Sequence, residues 1–475
     1  MSSNFGLSLE NHYAQLPEDF YTRMPAEKAG ATLRLIHANP SAAGLLNLDP
    51  AVFNDPRFVE VMGGHRPLEG FSPLAMVYSG HQFGVWAGQL GDGRALLIGQ
   101  ARNRKGELWD IQLKGAGKTP YSRFGDGRAV MRSTIREYLC SEAMAALGIP
   151  TSRALAIVAT GETVLRETRE PGAVLARLAR SHIRFGHFEH FFHRGQKEEV
   201  RQLADYVIGE YFPQQVGDYA AWFGEVVKRT AEMIAGWQAV GFAHGVMNTD
   251  NMSILGLTLD YGPYGFMDAY DPAFICNHTD EQGRYSFINQ PMIAHWNLRA
   301  LALALSDLIS TDQLLEKLTA YEELFGAKYR QLMRAKLGLV DEEEGDDRLI
   351  GELLALMAKT RADYTLSFRK LSGDDKDWLA LFGATQDEAQ AWLSRFRART
   401  QGTNLIGLDR TNPKFVLRNW VAETAIRAVE DRGDITALDR IFRILQSPFE
   451  KHDGDDAFAA PPPPEMCHLE VSCSS

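Results

Sequence analysis

The spacing of apolar residues changes once along this chain, and that change restricts its fold more than any other feature. Short apolar segments of strand length dominate residues 76 to about 190, and long segments with a helical period follow after about residue 200. A β-rich unit followed by a larger helical unit predicts the α+β class. We predict five segments: an N-terminal extension (1–75), a β-rich lobe (76–195), a helical lobe (196–340), a C-terminal helical region (341–460) and a Pro-rich, Cys-containing tail (461–475).

Two segments of the β-rich lobe predict a β-hairpin. "RALLIGQ" and "ELWDIQLKG" are separated by "ARNRKG", which has the composition of a turn. In the second segment a period of two places Lys114 on the face opposite to Trp109, Ile111 and Leu113. The period becomes helical in "MRSTIREYLCSEAMAALG", so Glu137 is predicted to lie on the helix that follows.

Glycine and proline predict several further boundaries. "SRALAIVAT" and "TVLRET" flank Gly161 and Glu162 and predict a second hairpin. The helix after the first hairpin is expected to end near Gly148, and the long helix "YAAWFGEVVKRTAEMIAGWQAVG" is expected to end at Gly241. Pro413 is expected near the N-terminus of a later helix.

The segment "HGVMNTDN" is typical of a phosphotransferase catalytic loop with one residue changed. In protein kinases an Asp two residues after the His accepts the substrate proton, and the Asn binds a metal ion. Aligned on His244 and Asn251, that Asp position holds Val246, which cannot accept a proton. Asp250 precedes Asn251, and Asp260 follows in "DYG"; an amide and a carboxylate suit a hard cation such as Mg²⁺. The alternative interpretation is a loop of turn-forming Asn and Asp residues.

Two glycine-containing segments could bring backbone N–H groups close to phosphates. "GQLGDGRALLIGQ" contains Gly91, Gly93 and Arg94 at the start of a strand, where a simple tight turn is the alternative. "GDGRAV" contains Asp126 and Gly127 and is predicted to open a helix. There an anion could bind the helix N-terminus, but a capping role for Asp126 is the default.

Charged side chains of the β-rich lobe suggest a phosphate site. A strand lysine held by a helix glutamate positions phosphates in kinases, which is a possible role for Lys114 and Glu137; two solvated charges are the alternative. Arg177, Arg180 and Arg184 lie close together in "LARLARSHIRFGHFEHF". Guanidinium groups bind phosphate through a rigid fork, although a solvated charged face is also consistent with this pattern.

The net charge of −11 argues against a general nucleic-acid or anionic-membrane partner. No signal peptide and no apolar run of 18 residues is visible, so we expect neither export nor a membrane span. The 4 cysteines show no metal-like pairing, which fits a reducing compartment. We expect a cytoplasmic protein.

Four long segments resemble the selenoprotein O family. They are "WDIQLKGAGKTPYSRFGDGRAVMRSTIREYLCSEAM", "LARSHIRFGHFEHF", "HGVMNTDNMSILGLTLDYGPYGFMDAYDPAFICNH" and "NPKFVLRNWV". The resemblance implies a bilobal protein-kinase-like fold with a β-rich N-lobe, a helical C-lobe and additional C-terminal helices. It also implies a protein adenylyltransferase that moves AMP from ATP to Ser, Thr or Tyr hydroxyls and releases pyrophosphate, with ATP flipped relative to kinases.

The resemblance assigns roles to individual residues. Asp250 is implied as the proton acceptor, Glu137 as the residue that orients Lys114, and Asn251 with Asp260 as the ligands of Mg²⁺, with Mn²⁺ as an alternative. The implied nucleotide-binding residues are Gly91, Gly93, Arg94, Lys114, Asp126, Gly127, Arg177, Arg184 and Asp260.

The resemblance further implies redox control. Cys473 stands where many eukaryotic members carry selenocysteine, and a bridge to Cys276 would hold the tail over the segment after "DYG". Cys467 is the rival partner, and two free thiols are the alternative. A thioredoxin-type reductant and self-modification are expected with this activity.

Two other functions remain open at this point. The chain could be a kinase that transfers the γ-phosphate with Asp250 as a displaced base, or a non-catalytic nucleotide-binding scaffold. Val246 alone favours the scaffold. The presence of Lys114, Asn251 and Asp260 argues against it, because a scaffold needs no metal pair.

Overall fold

The computed structural model describes residues 4–30, 32–401 and 405–472 and has a mixed α+β architecture. The strands, in chain order, are β1 (Leu9–Glu10), β2 (Tyr21–Arg23), β3 (Arg34–Ala38), β4 (Leu74–Met76), β5 (Gly80–Gln82), β6 (Val85–Ala87), β7 (Ala95–Arg102), β8 (Leu108–Lys114), β9 (Ala129–Val130), β10 (Arg153–Leu165), β11 (Arg169–Ala179), β12 (Phe242–Ala243) and β13 (Gly265–Phe266).

The helices are α1 (Pro40–Leu45), α2 (Pro56–Met62), α3 (Met131–Ala146), α4 (Phe185–Phe192), α5 (Lys197–Tyr211), α6 (Tyr219–Val240), α7 (Gln290–Ala304), α8 (Thr311–Lys336), α9 (Asp346–Thr360), α10 (Tyr364–Arg369), α11 (Asp375–Leu379), α12 (Gln386–Arg399), α13 (Asn419–Arg432) and α14 (Thr436–Gln446). No helix in these described stretches combines the length and the apolar character that crossing a bilayer requires.

Nine strands form one antiparallel sheet. Its central path runs β2-β4-β7-β8-β11-β10-β3, with β1 added beside β7 and β9 beside β11. Strands β5 and β6 form a separate hairpin, and β12 pairs with β13. Three strands of the sheet, β1 to β3, come from the first 38 residues of the chain, so this part of the chain is built into the sheet.

The predicted hairpin and the following helix are confirmed. Strands β7 and β8 pair antiparallel, with Lys114 opposite Ala95. Trp109, Ile111 and Leu113 enter one apolar cluster, and Lys114 lies on the other face, as a period of two requires. Helix α3 packs its buried apolar stripe against that second face of the sheet, which brings Glu137 within reach of Lys114.

Three local predictions are wrong. Strand β10 (Arg153–Leu165) runs through Gly161 and Glu162 without a turn, because Gly161 (φ +71°) forms an irregularity in the pairing. The turn to β11 comes later, at residues 166–168. "GDGRAV" does not open α3, since Ala129 and Val130 first pair with β11. Pro413 precedes α13 by an extended segment, and the helix begins only at Asn419.

The end of α6 places the loop that starts at His244. Gly241 takes the left-handed conformation (φ +70°) that ends the helix, as predicted. The His244 ring then stacks on Trp237 with centroids 5.2 Å apart. Its Nε2 lies 2.9 Å from the carbonyl oxygen of Leu259. Asp260 follows Leu259 in the chain, so this contact helps to position Asp260 relative to the His244 loop.

Candidate active site

Five charged side chains converge where the sheet meets the loops after α6. Lys114 at the end of β8 forms an ion pair with Glu137 of α3. Arg177 of β11 donates from Nη1 to Glu137 Oε1 at 2.7 Å and to Asp260 Oδ1 at 2.6 Å. Arg184, just before α4, donates to Asp260 Oδ2. The predicted residues Lys114, Glu137, Arg177, Arg184 and Asp260 therefore form one connected network.

The network is largely shielded from solvent, and its cations favour the ionised form of its two carboxylates. Arg177 and Arg184 are only 3% and 2% exposed, so their charges require nearby carboxylates. Burial opposes ionisation of Asp260, but Arg184, Arg177 and Lys114 hold its pKa well below the usual value. Burial also opposes ionisation of Glu137, yet Lys114 and Arg177 lower its pKa. The cations of the network can bind phosphate oxygens in place of these carboxylates, because both ligands are negatively charged.

Asp250 lies beside the network but outside its ion pairs. Its carbonyl oxygen accepts from Arg184 Nη1 at 2.7 Å, and its Oδ2 accepts from Gln82 Nε2 at 3.3 Å. Its Oδ1 is buried and has no donor among the described residues. Burial raises the pKa of Asp250 to about 7, although Arg184 acts in the opposite direction. A carboxylate with a free lone pair and this pKa is suited to accept a proton near neutral pH.

Asn251 and Asp260 have the donor chemistry of a Mg²⁺ site. Asn251 donates from Nδ2 to the carbonyl oxygen of Val246 at 2.9 Å, and no donor in the described part of the chain reaches its amide oxygen. Asp260 is held ionised by its cationic neighbours. An amide oxygen and an ionised carboxylate are hard ligands, so these residues fit the predicted ion.

The glycine-rich turn is covered by a tyrosine. Gly91 has φ +118°, and a Cβ atom there would lie 2.6 Å from the ring of Tyr121. A Cβ atom at Gly93 would lie 2.9 Å from the carbonyl oxygen of Tyr121. Packing thus requires both glycines, whatever their role toward a nucleotide. Arg94 follows with an exposed side chain that forms no ion pair within the described residues, so it is available to an anionic ligand.

Asp126 and Gly127 lie in the loop that carries Tyr121. Asp126 accepts from the Arg128 backbone N–H at 2.9 Å and pairs with Arg166 at 2.7 Å. It therefore caps a local turn and not α3. Gly127 has φ +72°, and a Cβ atom there would lie 2.1 Å from the backbone of Gly117, which excludes any side chain.

Arg180 is not brought into the network. Its Nε donates to the carbonyl oxygen of Leu108 at 2.9 Å, and its guanidinium lies 3.6 Å from Glu107. The alternation of side chains along the chain explains this, since Arg180 leaves the end of β11 on another side from Arg177. Of the arginine cluster, only Arg177 and Arg184 reach Asp260.

Sequence reasoning missed three residues of the site. Gln82 contacts Asp250, as described above. Asp92, between the two glycines, is 2% exposed; burial raises its pKa to about 6, and its Oδ2 accepts from the Met76 backbone N–H at 3.1 Å. The ring of Tyr78 lies 5.0 Å from Arg184 Cζ. Only Asp92 had a signal, as an acidic residue inside a turn predicted to bind phosphate.

The cysteines are placed as follows. Cys276 is a free, buried thiol whose Sγ lies 3.4 Å from the carbonyl oxygen of Ala243, and burial raises its pKa to about 12. Cys467 is free and exposed, whereas Cys473 lies outside the described residues. The carbonyl oxygen of Val471 accepts from the His278 backbone N–H at 2.9 Å. The tail therefore reaches the segment that contains Cys276.

Comparison with known proteins identifies the family of this arrangement. The family model described as protein adenylyltransferase SelO matches residues 4–446. A protein nucleotidyltransferase YdiU of Bordetella avium (strain 197N) is 51% identical over 99% of this chain and 98% of its own length. A protein nucleotidyltransferase YdiU of Myxococcus xanthus (strain DK1622) is 50% identical over 99% of both chains.

Proposed function

The chain belongs to the SelO family of protein adenylyltransferases, and on this premise we propose how its own residues carry out AMP transfer. The enzyme uses ATP as co-substrate and proteins as acceptors. The observation that carries the proposal is the contrast between Val246, which cannot accept a proton, and Asp250, whose buried Oδ1 has no donor within the described residues.

We propose that the triphosphate binds at the network of buried charges. Lys114, Arg177 and Arg184 would exchange part of their contacts with Asp260 and Glu137 for phosphate oxygens, and Arg94 would add a cation from the glycine-rich turn. Guanidinium groups suit this task because their donors match the geometry of phosphate oxygens. Fixed cations stabilise the negative charge that develops as pyrophosphate leaves.

The same proposal assigns the metal to Asn251 and Asp260. A bound Mg²⁺, or Mn²⁺, would supply positive charge that neutralises the phosphates. Glu137 would keep Lys114 in position by their ion pair. Gly91, Gly93, Asp126 and Gly127 would shape the turn and loop that enclose the nucleotide.

Asp250 would take the proton of the acceptor. The hydroxyl oxygen of a Ser, Thr or Tyr side chain attacks the α-phosphorus, and its proton passes to the Asp250 carboxylate. The bond between the α-phosphorus and the oxygen that leads to the β-phosphate breaks, and that oxygen leaves as part of pyrophosphate. Proton transfer of this kind contributes about 10²–10⁴-fold to a rate.

We propose that the fold is kinase-like and bilobal, with ATP flipped relative to kinases. The ion pair between a strand lysine and a helix glutamate supports it, as does the order of Asn251 and Asp260 after α6. The flipped position would bring the α-phosphate, and not the γ-phosphate, to the acceptor. A γ-phosphate-transferring kinase with Asp250 as its base is the second candidate.

ATP labelled separately at the α- and γ-positions tests the transfer. We expect label from the α-position only and a mass gain of one AMP on the modified protein, including self-modified enzyme. Val246→Asp is the informative variant, because restoring the kinase-type base should not restore γ-transfer if ATP lies flipped. A mass gain of one phosphate would favour the kinase.

We further propose that the enzyme works in a reducing cytoplasm, where a thioredoxin-type protein keeps the tail cysteine reduced. The free state of Cys140, Cys276 and Cys467 supports this. The contact between Val471 and His278 supports a regulatory position for the tail.

A further inference from the structure

A second group of side chains with metal-binding chemistry lies beside the loop that contains Asp250. His81, Glu189 and His193 offer one ligand atom each, and these atoms lie within 4.8 Å of one another. His81 belongs to β5, Glu189 to α4, and His193 directly follows α4. None of the three belongs to the network around Asp260.

Glu189 is the residue that points to a ligand. Its side chain is 1% exposed, yet only one oxygen is used: Oε1 lies 2.5 Å from His81 Nδ1. Oε2 is buried and has no partner in the described part of the chain. A buried carboxylate oxygen without a partner costs free energy, so its retention is unexplained by packing alone.

The donor set favours a transition metal over Mg²⁺. Two imidazoles and one carboxylate are the ligands that open Zn²⁺ sites use, with bonds of about 2.0–2.2 Å and a fourth position for water. A tetrahedral ion of that size needs donor atoms about 3.4 Å apart, so a small contraction of this group is sufficient. His193 is exposed, which leaves the ion a path from solvent.

Aromatic rings hold the histidines in place. Trp86 of β6 lies with its ring centroid 4.0 Å from that of His193 and 5.1 Å from that of His81. Trp296 of α7 packs edge-on against His81 at 5.2 Å. The rings restrict the rotation of the imidazoles and so reduce the entropy lost on binding an ion.

The group is mechanically linked to Asp250. The His81 backbone N–H donates to Thr249 Oγ1 at 2.7 Å, and Gln82, the next residue, donates to the Asp250 carboxylate. A Cβ atom at Gly80 would lie 3.0 Å from Asp250 Cβ, so β5 packs directly on the loop. Any ligand that fixes His81 to α4 therefore fixes the strand that contacts Asp250.

We propose that His81, Glu189 and His193 bind one divalent transition-metal ion of the Zn²⁺ type. The ion is separate from the nucleotide metal and fixes the β5–β6 hairpin against the Asp250 loop. Binding would replace the hydrogen bond between His81 and Glu189 by two bonds to the ion, and it would give the second Glu189 oxygen a charged neighbour.

Calorimetric titration of the full-length, metal-stripped protein with Zn²⁺ in excess Mg²⁺ tests the proposal. We expect one site per chain, with affinity reduced at least about tenfold in His193→Ala and in Glu189→Gln. His193→Ala is the safer variant because that side chain is exposed. His278→Ala, an exposed histidine elsewhere, should bind Zn²⁺ as the wild type does. Asn251→Ala should also do so, because it alters only the nucleotide metal site.

Hydrogen exchange of the backbone gives an independent readout. Zn²⁺ should slow exchange in residues 80–87 of the wild type and leave exchange there unchanged in His193→Ala. Absence of a Zn²⁺ site, or a site that survives His193→Ala at full affinity, overturns the proposal. Loss of the site in Asn251→Ala overturns it as well, because Zn²⁺ would then occupy the nucleotide metal position.

Discussion

Arg184 binds Asp250 through the main chain and not through the carboxylate. Its Nη1 donates to the Asp250 carbonyl oxygen at 2.7 Å, and the same atom pairs with the carboxylate of Asp260. The charge of Arg184 is thereby neutralised by Asp260, whose pKa is held well below its usual value, whereas burial raises the pKa of Asp250 to about 7. Two neighbouring carboxyl groups with pKa values driven apart are suited to different roles.

Replacing Asp260 should reduce AMP transfer more than replacing Asp250 does. Asp260→Ala removes the carboxylate that neutralises Lys114, Arg177 and Arg184 and that is proposed to hold the metal. Leaving buried charges uncompensated costs on the order of 3–5 kcal/mol of stability. Asp250→Ala should lose about 10²–10⁴-fold in rate and keep nucleotide affinity.

The comparison requires AMP-transfer rates, ATP affinity and denaturant midpoints for both variants at saturating Mg²⁺. Asp453→Asn, an exposed aspartate in no ion pair among the described residues, is the control and should match the wild type. If Asp250→Ala were the more damaging change in rate, the two role assignments would be wrong.

Replacing Arg94 should affect ATP binding alone, whereas replacing Arg177 should affect both ATP binding and the stability of the fold. Arg94 is exposed and forms no ion pair within the described residues, so Arg94→Ala should leave stability unchanged. Loss of a charge-assisted hydrogen bond of about 1.5–3 kcal/mol should raise KM for ATP roughly 10–100-fold. Arg177→Ala should weaken ATP binding and also destabilise the fold, because Glu137 and Asp260 lose a buried partner.

Thermal denaturation and ATP titration of the two variants distinguish these outcomes. An Arg94→Ala protein with unchanged KM would remove Arg94 from the nucleotide site. Equal stability of Arg177→Ala and the wild type would mean that the buried network does not contribute to folding.

Oxidation should link Cys276 to Cys473 slowly. The Cys276 thiol is buried and its pKa is raised to about 12, so little thiolate is present at neutral pH. The His278 backbone N–H donates to the carbonyl oxygen of Val471. His278 lies two residues after Cys276, and Val471 lies two residues before Cys473, so this hydrogen bond joins the tail to the segment of Cys276. Exposed Cys467 should react with an alkylating reagent well before Cys276.

Peptide mapping under non-reducing conditions identifies the bridge, and AMP transfer should fall on oxidation and recover with a thioredoxin-type reductant. Cys467→Ser should still form the bridge. A bridge that uses Cys467, or activity that is insensitive to Cys473→Ala and to reductant, would contradict the proposed switch.

The part of the site that follows local periodicity was predictable. Alternation along β8 placed Lys114 on the face opposite to its apolar residues, and the helical period placed Glu137 on the helix that follows. The structure shows the ion pair between them, for which two solvated charges were the alternative. The end of α6 at Gly241 was also predictable from local sequence, because helices commonly end at a glycine in the left-handed conformation.

The contacts that depend on distant pairing were not predictable. Gln82 reaches Asp250 across 168 residues, and no local pattern marks it. Gly161 between two apolar segments predicts a turn, but a glycine with positive φ also suits an irregularity inside a strand. Only the pairing of β10 with its neighbours decides between the two. Alternation separates Arg180 from Arg177, but nothing in the local sequence marks Glu107 as the partner of Arg180.

The pH dependence of AMP transfer by the wild type and by Asp250→Asn shows whether Asp250 is the base. Asp250 must be ionised to accept a proton, and burial raises its pKa to about 7, so kcat/KM should rise about tenfold per pH unit below pH ~7 and level off above it. Asp250→Asn should be about 10²–10⁴-fold slower and lack this rise. Asp92→Asn, which alters another buried acid whose pKa burial raises, should keep the rise. An Asp250→Asn enzyme with the wild-type rate and the wild-type pH profile would contradict the assignment of Asp250 as the base.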